Sequence, residues 1–497
     1  MPQGLRSSFV VFTGILVWMA GNAAQSTERQ TWSPDSPAGE RLKEAVGVIN
    51  AGDMDSVRSF IDNTFAPKSL DFFGKDELFD VFYCLFEKYG GLDFHHVKES
   101  SPSKEVAVFS CRVTGTGYVF GLTVQTEPPH QVRGMTILPL ASVGEDLGSK
   151  RFSDEKIAEK LSVVLDRFEE RGVFSGVVLV AADGRIIFHN AYGWANRESA
   201  IPATVDTKFN LASISKMFAA VAIAQLCEKE LLSYEDPIGN FLDADWIPLD
   251  IAQQVKIKHL LTHTSGIGGE DSNIAYVEEA VARGFTSIDD YKGLTVQTEL
   301  GFEPGSKYEY SNIGYHLLGA IIERVSGESY SSYIKTHIFG QAEMTGAELS
   351  QSEMPLSDMA IGYEKVYEGD SVVYRDNRSR IPKQATSAGQ CYATANDLMQ
   401  FAQALHDNTL VTSHTREILF APKVELNSPR YGFGFEVREI DNRRTVGHTG
   451  GYIGINDSFS MGQGDDYTVV ILSNLDILTG TVCEDLGMII GQMINGR

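Results

Sequence analysis

The sequence has few cysteines and no excess of positive charge. Its five cysteines are widely spaced and contain no Cys-x-x-Cys pair, which argues against a disulfide scaffold or a zinc site. The 66 acidic residues outnumber the 42 basic ones, giving a net charge of −24. Such a balance argues against nucleic acid or an anionic membrane surface as a partner. The 497 residues are enough for two or three globular domains.

Long apolar runs are also scarce, and the one at the N-terminus has the features of an export signal. Residues 1–24 carry one positive charge at Arg6, an apolar run over residues 9–20 and small residues at 21–24. This order predicts a signal peptide, so we expect a secreted or periplasmic protein without a stable membrane span after signal removal. The alternative is an uncleaved membrane anchor, because the uncharged stretch is only slightly shorter than a span.

The distribution of apolar residues predicts two folded parts after the signal. Residues 25–37 are polar and typical of a linker. Residues 38–140 show three helical segments followed by four strand-like runs, which predicts a small α+β domain. This order resembles that of nuclear-transport-factor-2-like (NTF2-like) domains, which implies an accessory pocket. A polar stretch at 141–153 marks the boundary to a second domain over residues 150–497.

The second part has strand-like runs at both ends and a largely helical middle. Near its start, two apolar runs flank Asp183 and Gly184, the signature of a two-residue hairpin turn. Strand-like runs return between residues 431 and 472, and a helix at about 484–494 closes the chain. We therefore predict an α/β fold in which an antiparallel sheet, built from both ends of this part, is flanked by helices and joined to a helical part.

A serine and a lysine three residues apart precede the most apolar segment of this part. Ser213 and Lys216 lead into residues 217–227, a run typical of a helix buried on all sides. Positions i and i+3 are neighbours on a helix, so the hydroxyl and the amine would meet at its start. A serine needs an adjacent base to act as a nucleophile, and burial favours the neutral form of lysine. The pair is therefore a candidate nucleophile and base.

The Ser-x-x-Lys spacing alone is not specific. It occurs three more times, at Ser101/Lys104, Ser153/Lys156 and Ser332/Lys335, and none of these pairs precedes a buried apolar run. Taken by itself, the pair is more typical of a helix-capping serine and a lysine whose charged end reaches solvent than of a catalytic pair.

Two further motifs follow along the chain. Tyr310-Ser-Asn312 is the only Tyr-x-Asn, and His448-Thr449-Gly450 is the only His-Thr-Gly. A tyrosine whose phenolate is stabilised by a nearby lysine can take the serine proton and pass it to a leaving group. An asparagine offers an amide donor and acceptor to a substrate. Successive glycines let the backbone approach a ligand, so an N–H there can face a developing oxyanion.

The three motifs in this order resemble those of the serine β-lactamase and penicillin-binding-protein superfamily. The resemblance is to the branch of class C β-lactamases, D-alanyl-D-alanine carboxypeptidases, D-aminopeptidases and related esterases, and it covers about residues 155–495. It implies a β-lactamase-like fold and a covalent acyl-enzyme, without metal or organic cofactor. The roles it implies are nucleophile for Ser213, acid/base partners for Lys216 and Tyr310, substrate binding for Asn312, His448 and Thr449, and an oxyanion hole from the backbone N–H groups of Ser213 and Gly451.

The chain departs from the family pattern at two positions. His448 stands where many members have lysine, and a neutral imidazole attracts a substrate carboxylate less strongly, so efficient β-lactam hydrolysis is less expected. We expect His448 to contact a substrate carboxylate with a strength that depends on pH near neutrality. Gln390 stands where the family commonly has a second glycine, which would reshape a wall of the pocket.

The residues and the resemblance together predict a secreted serine acyl hydrolase that cleaves an amide or ester in a small molecule or peptide. A D-amino-acid peptidase, an esterase and a β-lactamase-type enzyme remain open. The alternative is a non-catalytic sensor of the same fold that binds wall peptides or β-lactams. Since all three motifs follow residue 150, we expect the second domain to retain hydrolysis without the accessory domain.

Overall fold

The structure is a computed structural model. It describes residues 34–139, 152–292, 299–349, 358–369, 371–382, 384–440, 443–464, 467–477 and 482–495. The expected signal peptide (1–24) lies outside the described residues, as do most of the linker (25–37) and most of the boundary stretch (141–153). Among the described residues, no helix is both long and apolar enough to cross a membrane.

The N-terminal part is a layer of helices on a four-stranded antiparallel sheet, with strands in the order β1-β2-β3-β4. The sequence predicts three of its four helices and all four strands, whereas α3 was not expected. That short helix begins at Pro67, a residue well suited to a first helical turn. The resemblance to NTF2-like domains stays a prediction. The elements are α1 Pro37–Ala51, α2 Met54–Thr64, α3 Pro67–Phe73, α4 Lys75–Tyr89, β1 Leu92–Ser101, β2 Lys104–Cys111, β3 Gly117–Val124 and β4 Val132–Pro139.

The rest of the chain combines strands with a largely helical middle. Its helices are α5 Asp154–Glu170, α6 Lys216–Glu228, α7 Leu249–Gln254, α8 Ile257–Leu261, α9 Glu270–Arg283, α10 Asn312–Ser326, α11 Tyr330–Ile334, α12 Ala395–His406, α13 Ser413–Phe420 and α14 Val482–Asn495. Its strands are β5 Gly176–Ala182, β6 Arg185–Tyr192, β7 Trp194–Asn196, β8 Ile201–Pro202, β9 Phe209–Asn210, β10 Tyr363–Glu368, β11 Ser371–Asp376, β12 Tyr392–Ala393, β13 Glu436–Ile440, β14 Arg443–Tyr452, β15 Ile455–Gln463, β16 Tyr467–Ser473 and β17 Leu475–Ile477.

The main sheet has six antiparallel strands in the order β13-β14-β15-β16-β5-β6, so it joins both ends of this part as the sequence predicts. The hairpin of β5 and β6 turns at Asp183 and Gly184, whose φ angles of 51° and 71° are those of the predicted tight turn. This sheet, with its flanking and inserted helices, confirms the predicted α/β class with an antiparallel sheet joined to a helical part.

Helix α6 lies inside the larger core. Every residue from Lys216 to Leu226 is buried, and the apolar ones pack between one face of β5 and helices that include α10 and α12. The all-round apolar pattern thus has its expected cause, because a helix enclosed on every side needs no polar face.

The N-terminal part shares a second core with α5, α14 and the other face of the main sheet. A buried polar cluster lies within this interface. The Nζ atom of Lys88 on α4 is 2.8 Å from Asp485 Oδ2 on α14. The hydroxyls of Tyr89 and Tyr118 donate to the same carboxylate at 2.8 and 3.0 Å. Burial acts to lower the pKa of Lys88, but Asp485 raises it, and the net result is a pKa above the usual value, so Lys88 stays an ammonium.

A second buried ion pair joins α4 to the hairpin of β10 and β11. Lys365 Nζ donates to both oxygens of Glu87 at 3.0 Å, and the Tyr367 hydroxyl donates to Glu87 at 2.6 Å. Removing the N-terminal part would leave Asp485 and Lys365 without these partners and expose the apolar faces of α5 and α14. Contrary to the expectation from motif positions, we therefore do not expect the hydrolase part to fold alone.

We expect Asp485→Asn to lower the free energy of unfolding by about 3 kcal/mol or more, because it leaves the buried Lys88 ammonium without a counter-charge. Urea unfolding at pH 7 measures the change. The control is Glu368→Gln, which removes a carboxylate from an exposed pair with Arg375 and should cost about 1 kcal/mol or less. Equal losses for the two variants would contradict a structural role for the buried pair.

Candidate active site

Ser213 lies at the junction between strand β9 and helix α6. A short 3₁₀ helix, Ala212–Ser215, makes this junction and leads directly into α6. Ala212 has a φ of +39°, an unusual value for a residue with a side chain, and its N–H donates to Asn210 Oδ1 at 2.9 Å. Ser213 is partly exposed, whereas Lys216 is 0% exposed. The turn therefore leaves the Ser213 hydroxyl partly accessible at the N-terminal end of a buried helix.

The amine of Lys216 is enclosed by three oxygen atoms. Its Nζ lies 3.0 Å from Ser213 Oγ, 2.7 Å from Asn312 Oδ1 and 2.6 Å from the Ala388 carbonyl oxygen. The predicted i,i+3 neighbourhood of serine and lysine is thus present, and the structure adds Asn312 from the start of α10. The Ala388 carbonyl belongs to the segment before β12.

Burial lowers the pKa of Lys216 well below its usual value of 10.5. A neutral amine has two N–H donors and one lone pair. It can donate to Asn312 and Ala388 and accept the hydroxyl proton of Ser213, so all three contacts suit the neutral form. Lys216 is therefore placed to act as a base toward Ser213.

Tyr310 lies beside this amine, with its ring centroid 5.0 Å from Lys216 Nζ. Burial raises the pKa of Tyr310 well above 10.0, and a hydrogen bond with the Ser213 side chain lowers it only in part. The resting site therefore holds a protonated phenol beside a neutral amine. This differs from the phenolate expected from the sequence, because burial disfavours both charged forms.

His263 supports Tyr310 from behind. The two rings stack at a centroid distance of 4.1 Å and an angle of 28°. The N–H of Ser311 donates to His263 Nδ1 at 3.0 Å, so the neutral ring carries its proton on Nε2. Burial lowers the pKa of His263 well below 6.5. No motif of the sequence signals this contact between His263 and Tyr310.

Strand β14 passes close to the turn that carries Ser213. A Cβ atom on Gly450 would lie 2.4 Å from the Leu211 carbonyl oxygen, so only glycine permits this approach. The N–H of Thr449 points toward β13, where it donates to Glu436 at 3.1 Å. Alternate N–H groups of a strand face the same edge, so that of Gly451 does too. The first residue of β13, Glu436, pairs with Gly447. The residues of β14 after Gly447 therefore extend beyond the start of β13 at this edge.

His448 and Thr449 make internal contacts. The His448 side chain is buried, its Nδ1 donates to the Thr449 carbonyl at 2.6 Å, and its Nε2 accepts from the Tyr431 hydroxyl at 2.7 Å. Burial lowers the pKa of His448 to about 4 although Glu436 acts to raise it. This geometry does not present the imidazole to a substrate carboxylate. It also removes the titration near neutral pH that the sequence suggested.

Glu436 and Tyr431 are two further site residues that the sequence did not indicate. Thr449 donates to Glu436 Oε1 through its hydroxyl at 2.6 Å as well as its N–H, and Arg438 Nη2 lies 2.7 Å from Glu436 Oε2. Both missed residues fall in or beside a predicted strand, where a glutamate or tyrosine is unremarkable. Only the pairing of β13 with β14 reveals the contact.

Gln390 adopts a conformation that explains why a glycine suits its position. Its φ is +76°, in the left-handed region that side chains rarely occupy. Its Oε1 accepts a hydrogen bond from Asn210 Nδ2 at 2.6 Å. The departure from the family pattern therefore places a side-chain amide beside the turn that carries Ser213.

Comparison with known proteins places this site in a family. Residues 158–487 match the Beta-lactamase family. The chain is 33% identical over 304 residues to the putative penicillin-binding protein PbpX of Bacillus subtilis (strain 168), which is 61% of this chain and 71% of that protein. It is 28% identical over 323 residues to esterase EstB of Burkholderia gladioli, which is 59% of this chain and 82% of EstB.

A solved structure shows the same fold. The penicillin-binding protein from Bacillus halodurans is 27% identical, with a TM-score of 0.56, and the match covers 65% of this chain and 98% of that one. The family match over residues 158–487 contains the Ser213 turn, α6 and strand β14. The chain therefore belongs to the beta-lactamase family and is a serine hydrolase of the β-lactamase and penicillin-binding-protein type.

Proposed function

We propose that the protein is a secreted serine acyl hydrolase that cleaves an amide or ester through a covalent acyl-enzyme on Ser213. The observation that carries this proposal is the fully buried Lys216 amine, whose Nζ lies 3.0 Å from Ser213 Oγ. Burying an amine is unfavourable unless it is neutral. A neutral amine next to a serine hydroxyl is what nucleophilic attack requires.

Acylation begins with transfer of the Ser213 hydroxyl proton to Lys216 Nζ while Oγ bonds to the substrate carbonyl carbon. The carbonyl oxygen becomes an oxyanion, which the N–H groups of Ser213 and Gly451 would stabilise at the open edge of β14. The bond to the leaving group then breaks as that group takes a proton from the Tyr310 phenol. Lys216 returns its extra proton to Tyr310, so the site is ready for the second step.

Deacylation repeats these transfers with water. A water molecule loses a proton to Lys216 and bonds to the acyl carbon. The bond from that carbon to Ser213 Oγ then breaks, and Oγ takes the proton back from Lys216 as the carboxylic acid leaves. Asn312 would hold the substrate amide or ester through its NH₂ group, since its carbonyl oxygen already accepts from Lys216.

His448 is, in this proposal, a positioning residue. Its ring links Tyr431 to the backbone of β14, and Tyr431 packs against His263 with ring centroids 4.8 Å apart. His263 in turn stacks on Tyr310. The imidazole therefore joins the oxyanion strand to the wall behind the acid/base tyrosine.

We expect a fluorophosphonate or labelled penicillin to modify Ser213, as detected by mass spectrometry. Ser213→Ala should abolish labelling and reduce ester hydrolysis by about 10³-fold or more, because the reaction loses its nucleophile. Ser332→Ala is the matched control, since Ser332 has the same spacing to a lysine but is an exposed residue of α11. Turnover that persists in Ser213→Ala would refute the assignment. Labelling of the wild type without turnover would favour the sensor alternative.

A pH titration of stability tests the buried neutral state of His448. Its pKa is about 4 in the folded chain against 6.5 as the usual value, so the unfolded chain binds the extra proton first as pH falls. Stability is therefore complete above about pH 6.5 and declines toward pH 4, by as much as about 3 kcal/mol from this group. His448→Gln should reduce that decline, whereas His406→Gln, at an exposed histidine, should not. Identical pH profiles for all three proteins would contradict the burial argument.

Export is the remaining part of the proposal and rests on the sequence of residues 1–24 alone. We expect N-terminal sequencing of the protein from a secretion-competent host to begin near Ala24. Recovery of an intact Met1 in the membrane fraction would favour the anchor instead.

A further inference from the structure

The open edge of β14 has two neighbouring positions where backbone N–H groups face outward. One is Gly451, which we place in the oxyanion hole. The other is Thr449, two residues earlier and about 7 Å away along the strand. A leaving group bonded to the acyl carbon would lie along this edge. Thr449 is the next position on the edge that could donate hydrogen bonds to that group.

Both donors at Thr449 are already used within the protein. The N–H and the hydroxyl of Thr449 donate to the same oxygen of Glu436, at 3.1 and 2.6 Å. A carboxylate thus sits where a substrate carboxylate would find its hydrogen bonds. Arg438 lies on the other oxygen of Glu436, at 2.7 Å.

The charges at this position are those of an occupied anion site. Although burial acts to raise it, the pKa of Glu436 is lowered to about 2 by Arg438, by His448 once that ring is protonated at low pH, and by the two Thr449 hydrogen bonds. His448 beside it is neutral at pH 7, since its pKa is about 4. A second carboxylate arriving here would meet a negative charge and no unused donor on Thr449.

We propose that Glu436 makes the site selective for substrates that carry no carboxylate near the scissile bond, so that neutral esters and amides are the preferred class. The inference rests on the proposed function, because it needs Gly451 to bind the acyl oxygen. Glu436 acts as a specificity-determining residue by occupying the Thr449 donors and repelling a substrate anion. The competing interpretation is that Glu436 only fastens β13 to β14.

Two esters that differ in one charge test this inference. Methyl 3-(butyryloxy)benzoate and 3-(butyryloxy)benzoate present the same acyl group, and the second has a carboxylate on its leaving group. We expect the wild type to show a higher kcat/KM for the methyl ester. Glu436→Gln keeps an oxygen acceptor for Thr449 but removes the charge, and it should raise the acid-to-ester ratio of kcat/KM by about tenfold or more.

Glu439→Gln is the matched control. It removes the same charge from the same strand, at an exposed residue paired with Arg444, and should leave the ratio unchanged. Arg438→Gln is the second variant. It should lower the ratio, because the negative charge of Glu436 is then no longer balanced by the guanidinium beside it. Thermal unfolding confirms that each variant is folded.

The outcomes separate this inference from the proposed function. A ratio within twofold of wild type in Glu436→Gln, or in Arg438→Gln if the first variant does not fold, with Ser213 still labelled and the methyl ester still cleaved, overturns the inference alone. An equal change in Glu439→Gln would also overturn it, since the effect would then be one of net charge. Absence of both Ser213 labelling and ester cleavage in the wild type would instead refute the proposed function.

Discussion

The site depends on one unfavourable placement, the amine of Lys216 inside the buried core. The cost of burying an ammonium is several kcal/mol, so the surroundings favour the neutral form, and three oxygen atoms contact the amine. Each contact comes from a different part of the chain: the Ser213 turn, the start of α10 and the segment before β12. The helical middle of the chain is therefore constrained to bring Asn312 and Ala388 to this one atom.

The sheet constrains the opposite wall. Strand β14 approaches the nucleophile turn closely because Gly450 has no side chain, and its last residues extend past the start of β13. The same register that opens this edge brings Glu436 against Thr449. The oxyanion hole and the exclusion of anionic substrates that we propose would thus both follow from how β13 pairs with β14.

The N-terminal part is joined to the hydrolase part by buried charge as well as apolar contact. Lys88 with Asp485 and Glu87 with Lys365 lie in an interface that also contains one face of the main sheet. Buried pairs of this kind add little net stability, but they penalise any state in which one partner is missing. We therefore expect each part to depend on the other for stability, although all three motifs lie in one of them.

The sequence by itself determined the features that depend on local pattern, namely the buried helix after Ser213 and the hairpin at Asp183. Periodicity and spacing suffice for these two, because neighbours on a helix or turn are close in any fold. The fold class and the residues proposed for the chemistry came instead from the resemblance of three motifs to a known family. Tertiary structure alone decided which groups hold protons, why His448 faces inward and how Glu436 meets Thr449. These depend on burial and on contacts between distant segments, and a pKa is determined by the dielectric and charge of its surroundings, which no single stretch of sequence specifies.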